Sequence, residues 1–157
     1  MKVKGDKMAI KILTDSVADI PKEIAKALDI EVIPLTVNFE DGSYLDGVEI
    51  SRAEFYEKLS KTDKLPTTSQ VPPGEFINVF QSLTENGDEV IAILLSSKLS
   101  GTYSSAITAK EYLKDERITV IDSKHVTFVE GLIVIEAARM ARKGCSKSEI
   151  IERIFYM

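Results

Sequence analysis

Cysteine and histidine each occur once in this chain, as Cys145 and His125. A lone cysteine excludes a disulfide within the chain, and one residue of each kind cannot assemble a His/Cys zinc cluster. No acidic cluster has metal-ligand spacing either, so neither a metal nor a cofactor is expected. The longest apolar runs fall far short of the roughly 20 residues a helix needs to span a bilayer. The first seven residues, Met1 to Lys7, are polar and lysine-rich without an apolar signal core. A cytoplasmic location is the resulting expectation. There is no basic stripe: 20 Lys and Arg stand against 25 Asp and Glu, for a net charge of -5. Nucleic acid and anionic membrane surfaces are therefore poor candidate partners. Two catalytic signatures are also missing. No Gly-x-Ser-x-Gly elbow occurs, and the lysine of the one Ser/Gly-rich loop, Lys98, precedes its glycine, which rules out a Walker A loop.

What is there reads as one domain with a real core: 157 residues, 44% hydrophobic and 29% charged, with eight Gly and five Pro. Residues 1–7 are expected to be a disordered leader, and 8–157 the domain proper. Its organising stretch is Glu89-Val90-Ile91-Ala92-Ile93-Leu94-Leu95, an apolar run with β-branched residues that predicts a strand buried on both faces. Ser96-Ser97-Lys98-Leu99-Ser100-Gly101-Thr102 follows, and then Tyr103, Ala106, Ile107, Ala109 and Leu113 recur at helical spacing. Strand, hydroxyl-rich loop and helix in that order form the kind of crevice an open parallel sheet offers to ligands. Ser100 and Thr102 can donate hydrogen bonds there, and Gly101 allows close approach. The same residues serve equally as ordinary helix caps, so capping and ligand binding both stand at this point.

Elsewhere, Ala9 to Leu13 predicts a short first strand ending in Asp15-Ser16, with Asp19 as cap and Pro21 in the first turn of a helix bearing Ile20, Ile24 and Leu28 on one face. Asp15 reads as a loop-bracing carboxylate, because the phosphoaspartate pattern wants a second acid where this chain has Val17. Glu31 to Phe39 predicts a single strand interrupted by Pro34, followed by a hairpin turn at Asp41-Gly42 with a return through Tyr44 and Leu45. Ser51 and Glu54 form a capping box before a helix faced by Phe55, Tyr56 and Leu59, and Ser146 and Glu149 form another before Ile150, Ile151, Ile154 and Phe155. Between them lies a second donor-rich segment, Thr67-Thr68-Ser69-Gln70, expected as an extended loop held by prolines on both sides. A helix with Phe76, Phe80 and Leu83 follows and stops at Asn86-Gly87. Ile118 to Ile121 predicts another buried strand, and its Asp122-Ser123 ending repeats Asp15-Ser16. Gly131 to Met140, apolar on nearly all sides, predicts a helix buried on more than one face and ended by Gly144. The fold class is α/β, an open, mainly parallel sheet with helices on both faces.

Thr14-Asp15-Ser16-Val17-Ala18-Asp19, Thr68-Ser69-Gln70 and Leu99-Ser100-Gly101-Thr102-Tyr103-Ser104-Ser105-Ala106, with Asp122-Ser123 behind them, together resemble the DegV family of bacterial fatty-acid-binding proteins. The similarity runs from about Met8 to the end. It implies a protein of two α/β domains holding a long-chain fatty acid between them and presenting its carboxylate to a separate ATP-dependent kinase subunit. It also implies that Thr68 and Ser100 meet the carboxylate, with Ser69, Gln70, Gly101, Thr102, Asp15, Ser16, Asp122 and Ser123 as supporting loop residues. Three departures stand out: Val71 where the family commonly has proline, the segment His125 to Glu130 where it tends to be rich in serine and glycine, and the family's second domain, which this chain is expected to lack. The last implies an exposed interface prone to self-association. Competing classes are an enzyme, either a hydrolase using Ser100 and His125 or a phosphoryl-transfer subunit using Asp15 and Asp122, and a fragment with no activity of its own.

Overall fold

The computed structural model of the protein describes residues 8–157, and the expected leader at 1–7 lies outside the described residues. In chain order the elements begin with β1 (Ile10–Asp15), α1 (Lys22–Leu28), β2 (Ile30–Ile33), β3 (Thr36–Phe39), β4 (Gly42–Leu45), α2 (Arg52–Lys61) and β5 (Thr67–Ser69). They continue with α3 (Pro73–Thr84), β6 (Glu89–Leu94), α4 (Thr102–Leu113), β7 (Ile118–Asp122), α5 (Thr127–Arg142) and α6 (Lys147–Phe155).

Four strands form a parallel sheet in the order β2-β1-β6-β7. Alternation along β6 sends side chains to two cores. Val90, Ala92 and Leu94 join Leu13, Phe76, Phe80, Ala106 and Ala109 on one face. Ile91 and Ile93 join Ile12, Ala25, Ile133, Val134 and Ile150 on the other. Helices α3 and α4 thus cover one side, and α1, α5 and α6 the other, as the sequence pattern leads one to expect. The chain leaves β1 toward β2 on one side of the sheet, and leaves β6 toward β7 on the opposite side. Between β1 and β6, therefore, the connections diverge, and this switch point beyond the carboxyl ends is where open α/β sheets place a ligand crevice.

Residues 31–39 need a correction. They are not one strand: β2 ends at Ile33, and after Pro34-Leu35 the chain enters a separate antiparallel sheet of three strands, ordered β4-β3-β5. Proline has no N–H for the ladder, and it stands between the sheets rather than at a bulge. The Leu35 amide that leaves the first sheet is met by Ser16 Oγ at 3.1 Å. The hairpin at Asp41-Gly42 forms as expected, pairing Phe39 with Gly42. The threonine-rich segment is more ordered than a loop, since β5 pairs Thr68 with Val37 and Ser69 with Thr36.

Both capping boxes are present, at Ser51/Glu54 and Ser146/Glu149. Asp19 is not the cap of α1: it lies at φ 54° at the end of a short 3-10 turn, Ser16–Ala18, and its carboxylate pairs with Arg52. Helix α1 starts after Pro21 without a side-chain cap. The apolar face of α2 holds no buried residue; Phe55 stands edge-on to Phe39 at 5.7 Å, whereas Tyr56 is exposed. Helix α5 is buried on one broad face through Gly131, Ile133, Val134, Ala137 and Ala138, while Phe128, Val129 and Leu132 face outward. The expectation of burial on several faces fails there, because no described element covers that apolar side.

Candidate functional site

All four parallel strands deliver their carboxyl ends to one edge. At the end of β1, Asp15 is fully buried and both its oxygens are used: Oδ1 accepts from Val17 N at 3.0 Å and Oδ2 from Leu95 N at 2.8 Å. The second bond crosses the switch point, so Asp15 ties the turn after β1 to the root of the loop after β6. It acts as the loop brace its position implies. Its neighbour Glu130, from the first turn of α5, is also fully buried and accepts from Thr14 Oγ1 at 3.4 Å. Burial, and next the charge on Asp15, push the Glu130 carboxyl up to about 9. Burial likewise pushes Asp15 up to about 6, against the lowering effect of the Leu95 and Val17 amides. Two carboxyls this close share a proton near neutrality, with Glu130 the protonated partner.

The loop from Ser96 to Gly101 is held from both sides. Asp122 accepts from Ser97 N at 3.2 Å, Ser97 Oγ at 2.6 Å and Lys124 N at 2.9 Å. Burial opposes ionisation of Asp122, but these donors, the Ser97 hydroxyl foremost, outweigh it and hold the carboxyl below its ordinary value. Ser123 Oγ donates to His125 O and accepts from His125 N, both at 3.1 Å, and His125 O accepts from Ser96 N at 2.9 Å. At the start of α4, Ser100 Oγ lies 3.0 Å from Thr102 Oγ1 and accepts from Thr102 N at 3.2 Å.

The two donor-rich segments meet here. Gln70 Nε2 donates to Ser105 Oγ at 3.1 Å, and Val71 N to Thr102 Oγ1 at 3.4 Å. Gly101 is required by that contact, because a Cβ at this position would lie 1.9 Å from Gln70 Oε1. Thr68, two residues before Gln70, is exposed on β5, and its hydroxyl makes no hydrogen bond among the described residues. Ser69 Oγ accepts from Asn38 Nδ2 at 2.9 Å. Beside Asp15 and Ser16 opens a cavity of about 480 Å³, walled by Ile20, Ala25, Val32, Pro34 and Val48 and rimmed by Asp46 and Arg52.

The residues suited to covalent chemistry are not assembled. His125 is exposed and its imidazole makes no hydrogen bond among the described residues, while the Ser100 hydroxyl is engaged by Thr102. Asp15 is fully buried with each oxygen held by a backbone amide, and Cys145 lies at the opposite, amino edge of the sheet beside Lys11, Asp29 and Glu89. Among the described residues, no group of three or more His, Cys, Asp or Glu could hold a metal ion. None of the described helices is long and apolar enough to cross a membrane. Glu130 is the residue that sequence reading passed over. Its signal was helical spacing: Glu130, Ile133, Val134 and Ala137 share one face, and an acid on that stripe had to be buried.

The chain is an α/β protein whose parallel sheet carries two hydroxyl-bearing segments clasped together beyond its strand ends. Comparison with known proteins makes this specific: residues 9–157 match the model of a family described as uncharacterised protein, DegV family, and the chain belongs to the DegV family. A DegV domain-containing protein of Caldanaerobacter subterraneus subsp. tengcongensis is 49% identical over 146 residues, 93% of this chain and 52% of that protein. One from Clostridium perfringens is 45% identical over 145 residues, 92% of this chain and 52% of its own length. The chain therefore spans about half the length of the curated relatives it matches. Among solved structures, DegV of Bacillus subtilis, a fatty acid binding protein, superposes with a TM-score of 0.87 at 38% identity, over 96% of this chain and 54% of that one. A stearic acid-binding protein of Eubacterium ventriosum gives 0.84 at 34% identity, over 92% and 52% respectively.

Proposed function

We propose that this chain binds a long-chain fatty acid, with the carboxylate held by hydroxyl donors from Thr68 and Ser100. Ser69, Gln70, Gly101, Thr102, Asp15, Ser16, Asp122 and Ser123 hold the two segments in place. The observation that carries this reading is the clasp of Gln70 over Gly101, with its bond to Ser105 at 3.1 Å. It holds the segment that carries Thr68 against the one that carries Ser100, which supports a shared head-group site. Solved relatives that bind fatty acids, including stearic acid, share the fold at 32 to 38% identity.

The energetics suit a fatty acid. Each buried methylene contributes about 0.8 kcal/mol, so the tail supplies affinity. A carboxylate removed from water without hydrogen bonds costs several kcal/mol, so the head group needs donors, and the positive end of α4 adds to them. The reading involves no bond making or breaking by this chain. The bound acid is presented, carboxylate outward, to an ATP-dependent fatty acid kinase subunit.

The test is palmitate titration of the chain and of its Thr68→Ala/Ser100→Ala double variant, with native mass spectrometry of the purified protein. A co-purifying C14 to C18 acid is expected, with affinity falling on the order of 100-fold or more in the double variant, for two lost bonds to a charged group at about 1.5 kcal/mol or more each. Thr68→Ala alone should hardly change thermal stability, because Thr68 is exposed, whereas Ser100→Ala also removes the partner of the buried Thr102 groups and should cost about 1–3 kcal/mol. Palmitate binding that is indifferent to both hydroxyls would defeat this assignment of the head-group site.

A further inference from the structure

We infer that Thr102 is a positioning residue that turns the Ser100 hydroxyl proton outward, toward the ligand head group. The inference rests on the carboxylate-binding reading above and adds what makes Ser100 a donor rather than an acceptor. Thr102 is fully buried, 0% exposed. Its hydroxyl has two polar neighbours, Val71 N at 3.4 Å and Ser100 Oγ at 3.0 Å. An amide N–H can only donate, so Val71 occupies a lone pair of Thr102 Oγ1. The Thr102 proton then needs an acceptor, because a buried donor left unpaired is costly. Among the described residues that acceptor is Ser100 Oγ.

Ser100 Oγ also accepts from Thr102 N at 3.2 Å. A hydroxyl oxygen has two lone pairs, and here both are taken by Thr102. The remaining capacity of Ser100 is its own proton, and since this residue is half-buried the proton is offered to the crevice. The opposite polarity would strand the Thr102 proton inside the fold and turn a lone pair of Ser100 toward a carboxylate, repelling it. Val71 N–H, Thr102 and Ser100 thus form an aligned chain of donors in which each bond polarises the next. It begins one residue after Gln70, so the segment carrying Thr68 also sets the polarity of Ser100.

Such a device selects head groups that accept. The test compares palmitate with hexadecylamine, whose ammonium can only donate, in the unmodified chain, Thr102→Val, Thr102→Ser, Ser100→Ala and Thr102→Val/Ser100→Ala. Thr102→Val should weaken palmitate about five- to tenfold and leave the amine unaffected, while Thr102→Ser restores most of the affinity. In the Ser100→Ala background the same valine should change palmitate affinity less than about twofold, since its effect passes through Ser100. Equal losses with and without Ser100, or for both ligands, would overturn the relay. An NMR arm on the ligand-free, unmodified chain stands apart from lipid binding and from the folding of any variant. It should show a slowly exchanging Thr102 hydroxyl proton with a nuclear Overhauser effect to the Ser100 β-protons, and a hydroxyl exchanging at the bulk rate would refute the inference. A chain that binds no palmitate yet shows that proton would defeat the fatty-acid reading and leave the relay standing.

Discussion

Replacing Glu130 by glutamine probes the acid pair beneath the crevice. Glu130 Oε2 is buried and, among the described residues, meets no donor, and the carboxyl is raised from 4.5 to about 9, chiefly by burial and then by the charge of Asp15. Between those two values the folded chain keeps a proton that the unfolded chain has released, so stability falls as pH rises through the window. Asp15, raised from 3.8 to about 6, adds a fall of the same sign lower down. A one-proton difference is worth about 1.4 kcal/mol per pH unit, or at most about 4 kcal/mol between pH 5 and pH 8. Local relaxation and entry of water reduce such costs, and about 2 kcal/mol is the expected change. Glutamine keeps the size and supplies an amide N–H that Asp15 can accept, so Glu130→Gln should remove most of the slope and gain on the parent as pH rises. Urea unfolding followed by circular dichroism, in steps from about pH 5 to about pH 9, measures this directly. Parallel pH profiles for parent and variant, or a uniform loss of stability, would show that Glu130 is ionised and paired, and the reasoning would fail.

Three further outcomes are expected. In Gly131→Ala the new Cβ would lie 2.4 Å from the backbone oxygen of Ala18, and α5 must move away from the turn after β1. Chemical denaturation should show a loss of about 1–3 kcal/mol. Gly101→Ala instead meets the flexible end of Gln70, at 1.9 Å. Stability should stay within about 1 kcal/mol, but hydrogen exchange at the Val71 amide should quicken and palmitate affinity should drop. Finally, Leu99 at 69% exposure and Phe128 at 71%, with Val129 and Leu132, leave apolar surface on the loops and helix beyond the strand ends. The chain should bind a hydrophobic dye and self-associate in sedimentation at high concentration, whereas Phe128→Ser/Leu132→Ser should reduce both.

Much of this protein is determined by residues close together in the chain. The apolar run from Val90 to Leu94 makes a doubly buried strand, Asp41-Gly42 closes a hairpin, and Ser51 and Ser146 reach the amides three residues on. These depend on local hydrogen bonds and on the period of the side chains, which a sequence displays. The hydroxyl-rich segments around Thr68 and Ser100 were legible in the same way, and so was the family they resemble. Tertiary structure alone decided what joins them. Pro34 marks an interruption, but only the folded chain shows β3 leaving for a second sheet and pairing with β5 some thirty residues later. Asp15 finds its amide partner 80 residues away at Leu95, and Glu130 reaches Thr14 across 116. Such contacts are chosen by how two apolar layers close on the sheet, and closing a long loop costs little more than closing a short one. Sequence separation therefore does not limit which groups meet, and the polarity of Ser100 follows from a buried threonine whose environment exists only after folding.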